Sequence, residues 1–287
     1  MIPIYKKEIR TYFTQMTGYI FLTFLILLTG IYFSLVNVLS MSPNYHQVFS
    51  GTTILFFILI PALTMRLFAE EARHKTDQLL FTSPLPVWHI VFGKFLAALS
   101  LFVLGVGITL LFPLMLSRYG IMPVNQIAGA LLGYLLIGMC FIAVGLFISV
   151  LTDNQIIAAV ATFAALFVLF IMDAIANSMP ADTISSLVFV ALLIIGAAGV
   201  WYNSTRNVFA SAAVAVAGVV TAVVLYLFNN LIYDGIIVRS LQWLSVYARF
   251  TNFSNGILNL SDVVYHISFT ALFIYLTVNV IEKRRWR

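Results

Sequence analysis

Eight long, nearly uninterrupted apolar stretches run through this chain. They occupy approximately residues 19–39, 48–67, 87–116, 126–151, 156–172, 184–202, 208–228 and 263–281. A run of about 20 apolar residues is long enough to cross a bilayer as a helix, and a helix satisfies its own backbone hydrogen bonds in lipid. The sequence therefore predicts an all-α fold, a polytopic transmembrane helical bundle of about eight spans joined by short loops.

The composition excludes a soluble globular protein. Hydrophobic residues make up 62% of the chain and charged residues only 9%, whereas soluble domains have roughly 45–50% and about 25%. Lipid must therefore be the solvent for most of the apolar surface. The single cysteine, Cys140, excludes an intramolecular disulfide and a cysteine-based metal cluster, so we expect it to serve in packing.

Lysine and arginine are distributed unevenly over the loops that eight spans define. With the N-terminus inside, twelve fall in segments predicted to be cytoplasmic and three, Arg118, Arg239 and Arg249, in outer segments. Positive charge accumulates on the cytoplasmic side of membrane proteins. The bias predicts that both termini are cytoplasmic, and it explains the net charge of +5 without a nucleic-acid partner.

Residues 66–86, which follow the second apolar stretch, have the period of an amphipathic helix. One arc holds Phe68, Ala69, Ala72, Thr76, Leu79 and Leu80, and the other holds Glu70, Glu71, Arg73, His74, Lys75, Asp77 and Gln78. Pro84 ends the pattern, because the residue before a proline avoids the helical region. Two interpretations remain open: a helix lying on the membrane surface, or a helix that docks a cytoplasmic partner. The nearly balanced charge favours a protein partner over anionic lipid.

Residues 65–84, with the sequence MRLFAEEARHKTDQLLFTSP, resemble the Glu-Glu…Thr…Leu-Leu…Ser-Pro segment of the ABC-2 transporter permease family. The match is closest to the GldF-like gliding-motility permease branch. Other segments agree with it: residues 4–13, 93–97, 145–149, 152–155 and 253–287. The resemblance covers about residues 1–175 and 245–287. The family usually has six spans, so 184–228 is predicted to be an inserted two-helix hairpin.

The resemblance implies a single transmembrane permease domain over residues 1–287. Its predicted parts are an N-terminal elbow helix (1–17), a cytoplasmic coupling helix (66–86), the inserted hairpin (184–228) and an outer interfacial segment (240–260). In the outer segment, the spacing of apolar residues from 241 to 250 predicts one interfacial helix with Trp243 and Tyr247 at headgroup level.

The family also implies an exporter of the bacterial inner membrane, built from two permeases, identical or related, and two cytoplasmic ATPase subunits. The predicted ATPase-coupling residues are Glu70, Glu71, Arg73, Thr76, Leu79, Leu80, Ser83 and Pro84. The predicted ATPase-facing residues of the elbow are Lys6, Lys7, Glu8 and Arg10. The chain contains no GxxxxGK[ST] pattern, so we expect no enzyme activity and no cofactor in this chain, with ATP and Mg²⁺ bound by the partner. The inserted hairpin offers a site for an accessory membrane or extracytoplasmic subunit.

Two other functions remain as alternatives: an ion-coupled secondary transporter, and a membrane assembly or force-transmitting subunit that carries no cargo. Ion-coupled transporters usually need charged residues or broken helices within the membrane. The sequence predicts no ionisable residue near the centre of any span, which argues for an external motor. The substrate is left open.

Overall fold

The computed structural model describes residues 1–76, 85–118, 122–228 and 230–285, and every regular element in these ranges is helical. The helices are α1 (Ile2–Thr14), α2 (Thr17–Phe33), α3 (His46–Thr52), α4 (Phe56–Thr64), α5 (Arg66–Arg73), α6 (Val87–Thr109), α7 (Leu111–Leu116), α8 (Val124–Leu151), α9 (Gln155–Ser178), α10 (Thr183–Thr205), α11 (Val208–Phe228), α12 (Ile236–Leu244), α13 (Val246–Ser254) and α14 (Leu260–Arg285). Short π- and 3₁₀-helical turns extend α2 and join α3 to α4.

Eight helical segments among the described residues are long and apolar enough to cross a membrane, which confirms the predicted fold class. They are Thr17–Val38, His46–Arg73, Val87–Leu116, Val124–Leu151, Gln155–Ser178, Thr183–Asn203, Val208–Phe228 and Leu260–Arg285. The second segment extends furthest beyond its predicted bounds, residues 48–67. It is longer because α3, α4 and α5 follow one another with helical backbone at each junction.

The chain forms two compact units, Met1–Leu169 with Val246–Arg287, and Phe170–Ser245. The centre of the first unit is α8, which contacts α3, α4, α5, α6, α13 and α14. An aromatic cluster fills this centre: the Phe56 ring lies 5.4 Å from that of Phe102 and 4.6 Å from that of Tyr134. The close approach of α13 to α8 depends on Gly133, where an added Cβ would lie 2.6 Å from the Cβ of Phe253.

The elbow helix α1 packs on α6 and α2 within the first unit. Its Tyr5 hydroxyl donates to Ser100 Oγ at 3.0 Å, and its buried Tyr12 hydroxyl donates to the Leu63 carbonyl at 3.1 Å. The chain then turns into α2 through Met16, which has a left-handed backbone (φ 61°). The tertiary contacts therefore hold α1 against the bundle along its length.

The second unit contains the residues predicted to form the inserted hairpin. Helices α10 and α11 pack side by side and are joined by a tight turn in which Arg206 is left-handed (φ 54°). The Tyr233 hydroxyl donates to the Ala222 carbonyl at 2.8 Å, which ties the segment after α11 back onto that helix. Both helices expose large apolar side chains such as Leu192 and Phe209, as expected for surfaces that face lipid.

Two helices differ from their sequence-based predictions. The amphipathic pattern predicts one helix from residue 66 to the Pro84 stop, but α5 ends at Arg73 and Lys75 is left-handed (φ 56°), so the periodicity does not continue as one helix. The predicted interfacial helix over 241–250 is also wrong as a single element. Its backbone is extended at Ser245, and α13 then begins as a separate helix whose Phe250 is fully buried in the first unit.

Candidate functional site

The start of α5 is held by a side chain from another span. A helix begins with backbone N–H groups that have no partner within the helix, and a neighbouring side chain in the sequence usually accepts from them. Here the backbone N–H groups of Phe68 and Ala69 donate to Ser149 Oγ of α8, at 3.1 and 3.2 Å. The same hydroxyl donates to the Met65 carbonyl at 3.1 Å. Since Ser149 is fully buried, α5 is fixed directly to the end of α8.

A buried lysine on α6 joins three helices. Lys94 is 1% exposed, and its ammonium lies 2.8 Å from Glu8 Oε1 of α1 and 3.0 Å from Glu71 Oε2 of α5. It also donates to the Leu67 carbonyl at 2.6 Å. An ammonium has three hydrogens to donate, and these three acceptors use all of them. A charge removed from water requires this kind of complete pairing.

Glu71 extends the network from Lys94 to the elbow. Its second carboxylate oxygen accepts a hydrogen bond from Lys7 Nζ at 2.8 Å. Partial burial lowers the pKa of Lys7, but the hydrogen bond and the negative charge of Glu71 outweigh it and raise the pKa above its ordinary value. Lys7 is therefore protonated at neutral pH. Lys7, Glu8, Glu71 and Lys94 form a neutral set of two cations and two anions, called here the junction cluster.

A second link lies beside the junction cluster. Arg66 Nη1 donates to Thr17 Oγ1 at 2.6 Å, and the guanidinium lies 5.0 Å from the centre of the Tyr12 ring. Its Nε is 4.0 Å from the Glu70 carboxylate. Through this arginine, which is 7% exposed, the first turn of α5 also contacts the end of α1 and the start of α2.

The junction cluster borders an open cleft of about 340 Å³. Its lining comprises Lys7, Glu8, Thr11, Gln15, Arg66, Leu67, Glu70, Glu71, His74, Thr76 and Lys94. No three histidine, cysteine, aspartate or glutamate side chains in the described residues are placed to hold a metal ion. The carboxylates of the junction cluster are bound by lysines, and these contacts join α1, α5 and α6.

The structure places the predicted site residues in two groups. Lys7, Glu8 and Glu71 come together in the junction cluster, and Glu70 lies beside Arg66. Lys6, Arg10, Arg73 and Thr76 are exposed on α1, on α5 and just after α5. Leu79, Leu80, Ser83 and Pro84 lie outside the described residues.

Sequence analysis did not identify Lys94 or Ser149 as site residues. Lys94 was counted only as a topology charge, although a lysine inside the apolar stretch 87–116 is itself a signal, because ionisable residues within spans are rare and usually functional. For Ser149 the sequence carries no comparable signal. The partner helix of a serine in an apolar span is decided by tertiary packing.

Two further ionisable residues are buried near the start of the last span and not near its centre, so they do not contradict the prediction that no ionisable residue lies near the centre of a span. Asp262 and His266 lie in α14, at 5% and 0% exposure. The His266 carbonyl accepts a hydrogen bond from the Cys140 thiol, in the middle of α8, at 3.2 Å.

The fold and the junction cluster define a class of protein, a multi-pass α-helical membrane protein with an amphipathic N-terminal helix. Buried ion pairs join that helix to α5, at the end of the second helical segment, and to α6. The family model described as ABC-2 family transporter protein matches residues 2–177, more than half of the chain. The chain belongs to this family and is a permease subunit of an ABC transporter. No curated protein and no solved structure matches the chain at a significant level.

The family match begins at α1 and ends within α9, before the predicted hairpin at 184–228. It includes all four residues of the junction cluster and Ser149. It does not distinguish branches of the family, so the assignment to the gliding-motility branch stays a prediction.

Proposed function

We propose that this chain is the permease of an ATP-driven exporter, and that the junction cluster passes the motion of a cytoplasmic ATPase into the membrane bundle. One observation carries the proposal: α5, the last part of the second helical segment, is bound by buried polar contacts to α1, α6 and α8. In this proposal the ATPase contacts α5 and the residues after it. The ATPase binds ATP and Mg²⁺, and this chain catalyses no reaction.

The contacts explain why a push on α5 is transmitted to the spans. Removing one partner from a buried ion pair costs about 3–5 kcal/mol, because the other charge is left unpaired. Breaking the Lys94 contacts is therefore less favourable than moving α1, α5 and α6 together. The Ser149 hydroxyl adds α8 to this group, and α8 contacts most of the helices of the first unit.

The exposed residues around the cleft indicate what the ATPase surface must offer. Lys6 and Arg10 on α1, Arg73 on α5, and Lys75 just after α5 are all exposed and basic. Complementary charge steers association and sets orientation. The partner surface is therefore expected to be acidic, with Thr76 and the residues that follow completing the contact.

The test is affinity purification of the tagged chain from its native membrane, followed by measurement of ATP hydrolysis. The wild type should recover an ATPase whose activity responds to the permease. Glu71→Gln with Lys94→Met should recover the same ATPase but lose that response. Arg118→Met, which changes an exposed charge just after α7, serves as the matched control. A chain that recovers no ATPase, or a double variant that responds as the wild type does, contradicts the proposal.

Ion-coupled transport is the second candidate, and one observation favours it. Asp262 and His266 are buried near the start of α14, and Arg249 lies 3.2 Å from the Asp262 carboxylate, so ionisable groups are present at one end of the bundle. Family membership weighs against it. Uptake or efflux driven by an ion gradient in vesicles without an ATPase would support this candidate, and strict dependence on ATP would exclude it.

The remaining assignments follow from the exporter proposal and the charge distribution. Both termini are proposed to be cytoplasmic in a bacterial inner membrane, and a second permease, identical or related, is proposed to complete the complex. Force transmission without a cargo would give nucleotide-dependent movement of the permease with no transported molecule.

A further inference from the structure

Helix α13 is bounded by two breaks in the backbone. Before it, Ser245 is extended (φ −72°, ψ 112°), and after it, Gly256 is left-handed (φ +79°), a conformation that glycine adopts without strain. Between these points α13 packs on α8, α3 and α14. A short helix with a break at each end can move as one piece, because the rotation is absorbed at a few backbone angles.

The surface of α8 beneath α13 contains two glycines. Phe250 and Phe253 are fully buried and lie over Gly133, while the Phe253 carbonyl lies over Gly129. Glycines present no side chains that interlock with the rings. Apolar burial of the two rings favours the closed position, and polar contacts between α13 and its neighbours add to it.

Those polar contacts meet at Asp262. Arg249 Nη1 lies 3.2 Å from Asp262 Oδ1, and Asn252 Nδ2 donates to Oδ2 at 2.9 Å. The guanidinium also lies 4.0 Å from the centre of the Tyr265 ring. Both Arg249 and Asn252 belong to α13, whereas Asp262 and Tyr265 belong to α14. A third contact, between the hydroxyls of Ser254 and Ser50, joins α13 to α3.

The closed arrangement also leaves two polar atoms without partners. Arg249 Nε and His266 Nε2 are buried and make no hydrogen bond in the described structure. His266 Nδ1 lies 2.6 Å from the Asp262 carbonyl, which can only accept, so Nδ1 carries the hydrogen and Nε2 is left as an unsatisfied acceptor. Buried polar atoms of this kind oppose closure, because opening allows them to be hydrated.

From these contacts we propose that α13 is a movable lid, held closed by an ionic latch centred on Asp262. The lid covers Gly129 and Gly133, whereas Ser149, which binds α5, lies at the other end of α8. Sixteen residues separate Gly133 from Ser149, or roughly 24 Å along a helix. The lid and the Ser149 contact with α5 are thus at opposite ends of the same helix, and opening the lid would uncover the far end of α8.

Disulfide formation between Ser50→Cys and Ser254→Cys tests the latch in the full-length chain in membrane vesicles. Cys140→Ser is present in all variants, so that only the two new thiols react. Mild oxidation should link them rapidly when the lid is closed. Adding Asp262→Asn should slow linkage at least roughly tenfold, because the partly buried Arg249 then lacks its counter-charge. Asp153→Asn removes an exposed aspartate that lies 3.8 Å from Arg284, outside the latch, and should leave the rate unchanged.

A second variant covers the case in which Asp262→Asn does not fold. Arg249→Gln with Asp262→Asn leaves no unpaired charge and should link at a rate between those of the parent and Asp262→Asn. A folded latch variant that links as fast as the parent overturns the proposal. A parent that fails to link overturns the closed position of the lid itself.

Discussion

Lys94 of α6 and Glu71 of α5 lie 3.0 Å apart, Nζ to Oε2, at a site where the lysine is 1% exposed. The pair joins α5, at the end of the second helical segment, to the start of α6, which begins the third. Glu71 faces into the bundle, so its predicted coupling role would be exerted through Lys7 and Lys94 and not through direct contact with a partner.

Lys94→Met is expected to lower the free energy of unfolding by about 3–5 kcal/mol, because Glu8 and Glu71 lose a buried counter-charge. Thermal unfolding of the purified chain in detergent measures the change. Lys6→Met is the control, since that side chain is exposed. Adding Glu8→Gln to Lys94→Met should recover part of the loss. Equal stabilities of Lys94→Met and wild type would show that the lysine is not buried as described.

Ser149→Ala should loosen the first turn of α5, because two buried N–H groups lose their acceptor, at about 1–3 kcal/mol. Hydrogen exchange measured by mass spectrometry should show faster exchange for the peptide that contains Phe68 and Ala69. Ser268→Ala is the matched control: its hydroxyl is exposed and donates only within its own helix, to Tyr265. Unchanged exchange in Ser149→Ala would mean that α5 is held by other contacts.

Gly133→Ala is expected to destabilise the first unit by about 1–3 kcal/mol through overpacking against Phe253. Gly107→Ala is the matched comparison, because it adds the same methyl group at an open position. An added Cβ at Gly107 meets nothing within 4 Å, so alanine should be neutral or stabilise its helix by up to about 1 kcal/mol. Melting temperatures of the two variants should move in opposite directions or differ clearly; equal shifts would contradict the placement of α13 over α8.

The Lys7–Glu71 pair should be insensitive to pH near neutrality. The pKa of Lys7 is raised above 10.5 in the folded chain, so its contribution is complete below that value and is lost as the pH rises through the folded pKa. Between about pH 7 and about pH 9 the stability difference between wild type and Lys7→Met should stay constant, and it should shrink above about pH 10.5. A difference that falls within the neutral range would contradict the ion pair.

Fluorescent-protein fusions test the orientation inferred from the basic residues. Fusions at either terminus should be fluorescent, because these reporters mature in the cytoplasm, whereas a fusion in the loop between the third and fourth spans should be dark. A dark C-terminal fusion would contradict an even number of spans with the N-terminus inside.

Sequence was sufficient for the parts of this protein that depend on local composition. The length and apolarity of each stretch identify eight spans, because a helix in lipid needs only its own backbone and an apolar surface. For the same reason the bounds of the seventh span, Val208–Phe228, match the predicted ones. The coupling roles of the acidic and basic residues in the elbow and after the second apolar stretch came from the family resemblance, and they stay a prediction.

The partners of those residues were decided by tertiary structure alone. Glu8 accepts a hydrogen bond from Lys94, which is 86 positions away in the chain, and Ser149 accepts one from the backbone N–H of Phe68, 81 positions away. A periodic pattern in the sequence does not predict contacts at such separations. Burial of Asp262 likewise depends on Arg249 and Asn252 of a separate helix. The same physical reason applies to all three contacts. A buried polar group in a membrane bundle is stable only where another segment provides a hydrogen-bond partner, and which segment does so depends on how the helices pack.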